Sequence, residues 1–309
     1  MRLGARRGGT ASALGRALLA FASLSGFGIA QAQPVVTGDE HLAGDRPEAW
    51  AMNYFAAATF LTSFGQVGPV APWKWSLAGE VGSIPRLSDD QRRVGFDGAK
   101  LEDLNKTPVF GRLRLTMGLP HDWVAELAYT PPLELNGARP RNIFDLAFGT
   151  RLIDRDPWTF SFRAFGQHGT VSGDITCPAQ LAGVTDPTLN PYQCQAPSND
   201  TYGVNYFGGD LTAGWNTGAW RWHTAFGLVH TDLDVQVDAL TGGVRDRTHL
   251  FSSGYLRYVT LGGAYDFGPS WSVATEVLYV PLNVRRGPDA DQENDPLTSV
   301  RLSVRYRFN

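Results

Sequence analysis

The sequence predicts a membrane-spanning β-barrel of ten antiparallel strands with a short N-terminal helix. Three observations lead to this fold class. Apolar and polar residues alternate with a period of two in ten segments, the connections between those segments are short and long in turn, and eight of the nine tryptophans fall at the same ends of the segments. Together these features are typical of a closed sheet that has lipid on one face and a polar lumen on the other.

The final ten residues, Val300 to Asn309, carry the clearest alternation, since large apolar side chains alternate there with polar or cationic ones. The preceding segments follow the same pattern from Lys74 onward. The ten predicted strands are Lys74–Ile84, Val109–Leu119, Trp123–Leu133, Ile143–Ile153, Trp158–His168, Tyr202–Trp215, Ala219–His230, Tyr255–Phe267, Ser270–Leu282 and Thr298–Phe308.

The connections support a meander across a membrane. Tight turns with Pro, Asp, Asn or Gly lie at 119–122, 154–157, 216–218 and 267–270. The remaining connections are long, at 85–108, 134–142, 169–201, 231–254 and 283–297. Short turns on the periplasmic side and long loops outside are the usual asymmetry of such barrels.

The tryptophans mark one membrane interface. Aromatic rings prefer that position because it accommodates an apolar ring and a polar N–H together. Those at the short-turn ends are Trp73, Trp75, Trp123, Trp158, Trp215, Trp220, Trp222 and Trp271. A soluble β-sandwich, which the composition alone would allow, would distribute them through its core.

Residues 1–32 resemble an export signal. Arg2, Arg6, Arg7 and Arg16 precede an apolar stretch that ends at Ala30, and Ala30-Gln31-Ala32 supplies a cleavage site. The apolar stretch is shorter than the ~20 residues that a spanning helix needs. We therefore predict a signal peptide at 1–32, an N-terminal segment at 33–73 and the barrel at 74–309.

The segment 47–64 allows two interpretations. Asp45-Arg46-Pro47-Glu48 is typical of a helix start, with a capping acid and an early proline, and Ala-rich sequence follows. The apolar residues from Trp50 to Phe64 would also suit a strand. With both termini in the periplasm the number of strands must be even, and ten already suffices, so we favour a helix lodged in or beneath the barrel. The alternative is a twelve-stranded barrel that also uses Val94–Leu104.

Every second residue of each predicted strand is apolar, and these residues are expected to face lipid. The residues between them then face the lumen, and many of them are charged. Eight cations and six anions in so narrow an interior predict a network of ion pairs more than an open ion pathway. The predicted lumen-facing residues are Glu80, Arg112, Arg114, Glu126, Asp145, Arg151, Arg163, Asp210, Arg221, Asp266, Glu276, Arg301, Arg305 and Arg307.

Cys177 and Cys194 are the only cysteines, and both lie in the long connection 169–201. In an exported chain this pair predicts a disulfide within one loop. No metal-ligand cluster, phosphate-binding loop or basic nucleic-acid surface is recognisable, so we expect no metal, no cofactor and no nucleic-acid partner.

His230 and Asp232 lie near the outer end of a predicted strand. One His and one Asp at this height resemble the catalytic pair of the omptins, ten-stranded outer-membrane proteases, which would imply a hydrolase at the rim. The order of the two residues is reversed, and the companion acidic pair is not recognisable. A rim hydrolase, either protease or lipase, is therefore an alternative and not the main hypothesis.

The C-terminal strand, with Val304, Tyr306 and Phe308, resembles the signal by which the barrel assembly machinery recognises outer-membrane proteins of Gram-negative bacteria. Its aromatic residue is usually terminal, whereas Asn309 follows it here. The resemblance to this superfamily implies an outer-membrane location and contact with lipid and lipopolysaccharide. It implies no substrate.

The sequence thus favours a non-enzymatic outer-membrane barrel. It is either a narrow solute pore or a plugged barrel whose extracellular loops bind a small solute or a surface ligand. A secreted soluble β-domain is a further alternative, although a soluble monomer would not expose the apolar parity of these strands.

Overall fold

The structure is a computed structural model that describes residues 33–65, 71–287 and 289–308. Ten long strands form its barrel. They are β1 (Trp75–Ser83), β2 (Val109–Gly118), β3 (Trp123–Thr130), β4 (Arg139–Arg155), β5 (Trp158–Gly173), β6 (Asp200–Thr217), β7 (Trp220–Gln236), β8 (Val244–Phe267), β9 (Trp271–Val280) and β10 (Leu297–Arg307).

Each strand pairs antiparallel with the next one along the chain, from β1–β2 to β9–β10. Strand β10 then pairs with β1, with Val304 opposite Gly79, so the sheet is closed. The prediction of a ten-stranded antiparallel barrel is confirmed. Closure leaves the barrel without a free edge, which a membrane-spanning sheet requires.

The remaining elements are short, apart from one helix. The helices are α1 (Pro47–Ala58), α2 (Asp89–Arg92) and α3 (Gly95–Gly98), with a single 3-10 turn at Pro120–Asp122. Short strands lie at Val35–His41, Arg93–Val94, Lys100–Leu101, Ala239–Thr241, Asn283–Val284 and Glu293–Asn294. Among the described helices none is long and apolar enough to cross a membrane.

The strand Val35–His41 corrects one expectation. It pairs in parallel with Arg245–Phe251, the part of β8 that projects beyond the barrel among the long loops. The chain therefore approaches the barrel at its long-loop end, whereas both termini were expected at the short-turn end. The predicted signal peptide at 1–32 lies outside the described residues.

The barrel is apolar outside and polar inside. Among the side chains that point outward, Leu113, Phe148 and Leu211 are each more than half exposed. Five of the girdle tryptophans open a strand at the short-turn end, and Trp158 and Trp215 stack across the β5–β6 pair with ring centroids 6.1 Å apart. This polarity is the reverse of a soluble protein and is that of an outer-membrane barrel.

Helix α1 is buried on almost all sides, because it lies inside the barrel. Pro47 occupies its first turn and Glu48 supplies the acidic residue there. The predicted cap at Asp45 is wrong: Arg46 is the N-cap residue and makes no side-chain cap bond, while Asp45 contacts Arg285 at 3.1 Å. The helix ends at Ala58, earlier than the predicted residue 64.

Candidate functional site

Residues 47–65, here called the plug, run from the long-loop end of the barrel down into its lumen. Helix α1 occupies the upper part, and residues 59–65 continue below it without regular structure. Phe60 packs inside against Tyr206 and Tyr258, with ring centroids 5.1 and 5.8 Å away. At the lower end, Phe64 packs against Ala264 and Ala274, close to the short-turn end.

Arginines from the barrel wall bind the backbone carbonyls of the plug. Arg301 donates to the carbonyls of Ala57 (3.1 Å), Ala58 (3.0 Å) and Phe60 (2.7 Å). The last carbonyls of a helix have no partner within it and carry partial negative charge, so a guanidinium is well suited to them.

Three more arginines continue this pattern below the helix. Arg112 donates to the carbonyls of Thr59 (2.9 Å) and Phe60 (3.1 Å), and Arg114 donates to that of Thr62 (2.9 Å). Arg163 donates to the carbonyl of Leu61. Four wall arginines therefore fix the plug chiefly through its backbone, and Arg301 also donates to the Thr62 hydroxyl at 3.3 Å.

Three of these arginines, Arg112, Arg114 and Arg163, also form ion pairs with wall carboxylates. Glu80 lies 2.7 Å from both Arg112 and Arg114. Glu126 lies 3.2 Å from Arg114 and 3.0 Å from Arg163. A buried charge is tolerated only when it is paired and hydrogen-bonded, so the network and the plug satisfy each other.

Two further aspartates complete the network. Asp210 lies 2.7 Å from Arg163 and accepts a hydrogen bond from the hydroxyl of Tyr258 at 2.7 Å. Asp145 lies 3.5 Å from Arg112 and is fully buried. All of these groups come from the parity that the sequence assigned to the lumen.

The remaining predicted lumen residues lie nearer the short-turn end. Asp266 pairs with Arg221 (3.0 Å) and with Arg307, and all three are partly exposed. Arg151 pairs with Asp122 and Asp154 at the turns and does not reach the plug. These residues belong to the rim of the barrel and not to the plug contacts.

Arg305 is buried in the lower lumen. Nearby, Glu276 joins the plug to the wall from the other side. It accepts a hydrogen bond from the Thr62 hydroxyl, and its second oxygen lies 3.3 Å from Nε2 of His223. Among the described residues no cluster of three His, Cys, Asp or Glu side chains is arranged to hold a metal ion.

Two long loops lie over the mouth, and we call residues 85–107 and 174–199 the loop cap. The amide of Asp97 donates to Glu48 at 2.7 Å and the Tyr54 hydroxyl donates to the carbonyl of Pro85 at 3.2 Å, so this cap is fixed to helix α1. The predicted disulfide Cys177–Cys194 is present within it, with the Cα atoms 5.5 Å apart.

A buried lysine, Lys100, joins the two halves of the loop cap. Nζ of Lys100 lies 2.8 and 2.9 Å from the two carboxylate oxygens of Glu102, and it also donates to the carbonyl of Thr176. Burial raises the pKa of Glu102 to about 7, although the ammonium of Lys100 opposes that rise.

Below the loop cap lies a cavity of about 420 Å³ between helix α1 and the barrel wall. The cavity lining is almost entirely apolar. From the helix come Ala51, Met52 and Phe55, and from the strands come Ile143, Val171, Val204 and Val235. A concave apolar site of this size is typical for a small uncharged molecule.

Sequence reasoning missed both this cavity and the tyrosines of the lumen. The hydroxyl of Tyr206 donates to the carbonyl of Thr59 at 2.9 Å and accepts from the amide of Leu61 at 3.0 Å. Tyr206 has the same strand parity as Asp210, so inward parity would have identified it. The cavity has no comparable signal, because loops distant in sequence form its upper half.

His230 and Asp232 lie on the outward face of β7, which faces away from the lumen and the cavity. The His230 ring packs between those of Phe207 and Tyr255, with centroids 5.0 and 4.8 Å away. The imidazole is thus enclosed by two aromatic rings. It brings no second acid to the pair.

Val304, Tyr306 and Phe308 of the predicted assembly signal share the outward face of the last strand. Val304 and Phe308 are exposed, and the Tyr306 ring packs against Trp271 with centroids 4.9 Å apart. The three side chains of the predicted signal therefore lie on the outer side of the barrel.

No protein-family model matches the chain. A comparison with curated proteins finds no match either. Solved structures do match. The outer-membrane protease OmpT of Escherichia coli is 10% identical, with a TM-score of 0.35, over 79% of this chain and 100% of that one.

The toluene transporter TbuX of Ralstonia pickettii is also 10% identical, with a TM-score of 0.35, over 77% of this chain and 90% of the other. Ail, the attachment invasion locus protein of Yersinia pestis, is 8% identical, with a TM-score of 0.31, over 77% of this chain and 100% of that one. These structures are Gram-negative outer-membrane β-barrels, the class that the sequence predicted. At such scores the likeness carries no argument about the activity of this chain.

Proposed function

We propose that this protein is a plugged outer-membrane barrel that binds a small, uncharged, apolar molecule in the cavity beside helix α1. The observation that carries this proposal is the cavity itself, about 420 Å³ in volume and lined by aliphatic and aromatic side chains. Of the two predicted functions, the plugged barrel is favoured over the narrow pore, but the proposed site lies in the cavity below the extracellular loops, whereas the sequence predicted a site on those loops.

The outer-membrane location is supported by the outward face of the barrel. Leu113, Phe148 and Leu211 are exposed on different strands, and a soluble monomer rarely exposes so much contiguous apolar surface. The proposal includes export by the segment 1–32, assembly by the barrel machinery and contact with outer-membrane lipid and lipopolysaccharide.

The plug argues against a water-filled ion pathway. Its backbone is bound by arginines from β2, β5 and β10, which lie on different sides of the lumen. Ten strands enclose a narrow interior, and a segment with a buried helix fills it. Residues 57–62 and the arginines that bind them therefore occupy the part of the lumen through which ions would have to pass.

The charges at the edge of the cavity argue for an uncharged ligand. Glu102 pairs with Lys100 at 2.8 Å, and Lys106 pairs with Asp174 and Asp103 at 2.7 Å. Glu48 pairs with Arg46 at 2.9 Å. A further acid at the cavity, Asp200, accepts hydrogen bonds from the amides of Ile175 and Thr176. These charges are already paired or hydrogen-bonded, so a ligand carboxylate or ammonium would be buried without compensation.

Equilibrium dialysis tests the proposal directly. The protein in lipid nanodiscs is dialysed against 1-fluoronaphthalene, and empty nanodiscs report partition into lipid alone. We expect saturable binding in excess of the empty discs with one site per protein. Uptake equal to that of empty discs would contradict the proposal.

A pair of matched variants locates the site. Val171→Trp places an indole in the cavity and is expected to remove the saturable binding. Val277→Trp makes the same change on the outward face of β9, where Val277 is exposed, and binding should persist. Heat-modifiable migration of both variants verifies that the barrel has folded.

A further inference from the structure

We infer that the cavity exchanges its ligand directly with the bilayer, through a lateral opening in the barrel wall between β2 and the start of β4. This inference rests on the proposed function, since it names the route to the same site.

The loop cap closes the cavity at the long-loop end. Its two halves are joined where Tyr192 donates to the carbonyl of Ala99 (3.1 Å) and where the amide of Asp103 donates to that of Ile175 (3.3 Å). The Lys100–Glu102 pair lies buried between them. A ligand would have to break these contacts to leave upward.

The plug closes the cavity at the other end. Below Met52 and Phe55, the lumen holds residues 57–62 and the four arginines that bind them. An apolar molecule that moved in this direction would have to cross a buried ionic network, which offers it no favourable contact.

The wall itself has a gap on one side. Strands β2 and β3 pair only from Leu113–Gly118 with Val124–Tyr129, so residues 109–112 of β2 have no partner on β3. Strand β4 meets β3 only from Ile143 onward, which leaves residues 139–142 without a partner on that side. The two unpaired stretches face each other across the chain segment 131–138.

The gap has a closed upper edge, so it is an opening and not a frayed end. There the side-chain amide of Asn136 donates to the carbonyl of Lys106 at 2.7 Å, joining the segment 131–138 to the loop that leads into β2. Segment 131–138 is also bridged internally, since Leu135 and Ala138 exchange backbone hydrogen bonds of 2.9 Å.

The residues around the gap connect the cavity with the lipid-facing surface. Val81, Val109 and Gly111 belong to the outward parity of β1 and β2, yet they also line the cavity. Leu133 lines it too and is 67% exposed. Side chains of the lipid face can line an internal cavity only where the wall is open between them.

The route is tested by measuring exchange, not only occupancy. Fluorine-19 saturation transfer between lipid-dissolved and protein-bound 1-fluoronaphthalene in nanodiscs gives both the bound fraction and the exchange rate. Gly111→Trp places an indole across the gap, and the only contact that a Cβ makes there is the carbonyl oxygen of Glu80 at 3.4 Å. We expect exchange at least tenfold slower among the molecules that are bound, whatever the bound fraction, because Gly111 also lines the cavity.

Gly79→Trp is the matched control, because Gly79 lies on the same outward face of β1 and a Cβ there meets nothing within 4 Å. Its exchange should equal that of the wild type. Leu133→Ala widens the gap without touching a strand, and exchange should become severalfold faster. Wild-type rates in both Gly111→Trp and Leu133→Ala would overturn the lateral route while leaving the site intact. A wild-type protein without a bound signal would overturn the site as well.

Discussion

Arg301 of the last strand donates a 2.7 Å hydrogen bond to the carbonyl of Phe60, at the level where the plug leaves helix α1. The contact joins the last strand of the barrel to the N-terminal plug in the centre of the lumen. Because the same guanidinium also binds the carbonyls of Ala57 and Ala58, it terminates the helix and holds the plug at once.

We expect Arg301→Ala to loosen the plug. The carbonyl of Ala58 loses its donor, whereas that of Phe60 keeps Arg112 and that of Ala57 keeps the amide of Phe60. Because a buried acceptor without a partner is costly, the free energy of unfolding should fall by about 1–3 kcal/mol. Urea unfolding in lipid measures the loss. Arg151→Ala is the control, because its partners Asp122 and Asp154 are half exposed and such pairs contribute roughly 0 to 1 kcal/mol. Equal effects of the two changes would contradict the role of Arg301.

We expect Gly227→Ala to destabilise the barrel by about 1–3 kcal/mol, because it overpacks the lumen. A Cβ at Gly227 would lie 2.1 Å from Cε1 of Tyr258. That ring is fully buried, and its hydroxyl is fixed to Asp210 at 2.7 Å, so it has no free direction in which to move. The same measurement on Gly79→Ala, where the space is open, should show no change.

The loop cap should open more readily as the pH rises. The pKa of Glu102 is about 7 when the cap is closed, above the ordinary value of 4.5. The closed form therefore binds this proton more tightly than the open form. That contribution to stability is present at low pH and is lost as the pH rises through about 7.

Hydrogen exchange of the Asp103 amide, which donates to the carbonyl of Ile175, reports this opening after correction for intrinsic exchange. Opening should increase between pH 5 and pH 7.5 in the wild type. Glu102→Gln removes the titrating group and should make the corrected opening independent of pH. An unchanged pH dependence in the variant would assign the effect to another group.

Replacing both Cys177 and Cys194 by Ser should expose the loop cap without unfolding the barrel. A disulfide that closes a loop of this size contributes ~3 kcal/mol by constraining the open chain. Limited proteolysis should therefore cut within residues 178–193 much faster than in the wild type. Faster cutting at the short turns would show instead that the whole barrel depends on the bond.

The alternation of inward and outward residues along each strand explains which part of the fold could be predicted. The period-two alternation depends only on local geometry, so it gave the ten strands and the inward charges such as Arg163 and Glu126. The strand ends were less accurate. Strand β8 begins at Val244, eleven residues before the predicted Tyr255, because its extension projects among the loops and pairs with Val35–His41.

The plug shows why the rest could not be predicted. The sequence indicated a helix after Pro47, but the ends of that helix depend on tertiary contacts. Arg301 and Arg112 bind the carbonyls at Ala57 to Phe60 and so determine where the helix stops. The cavity depends on loops that meet across more than seventy residues of sequence, such as Lys100 and Thr176, and no periodic pattern records such a meeting.

Single-channel conductance in a planar bilayer shows whether the plug seals the lumen. The intact protein should give no steady current, because Arg112, Arg163 and Arg301 hold residues 57–62 across the lumen. A protein lacking Glu48–Ser63, verified as folded by heat-modifiable migration, should conduct. Steady conductance of the intact protein, at the same level as the deletion, would contradict a sealed barrel.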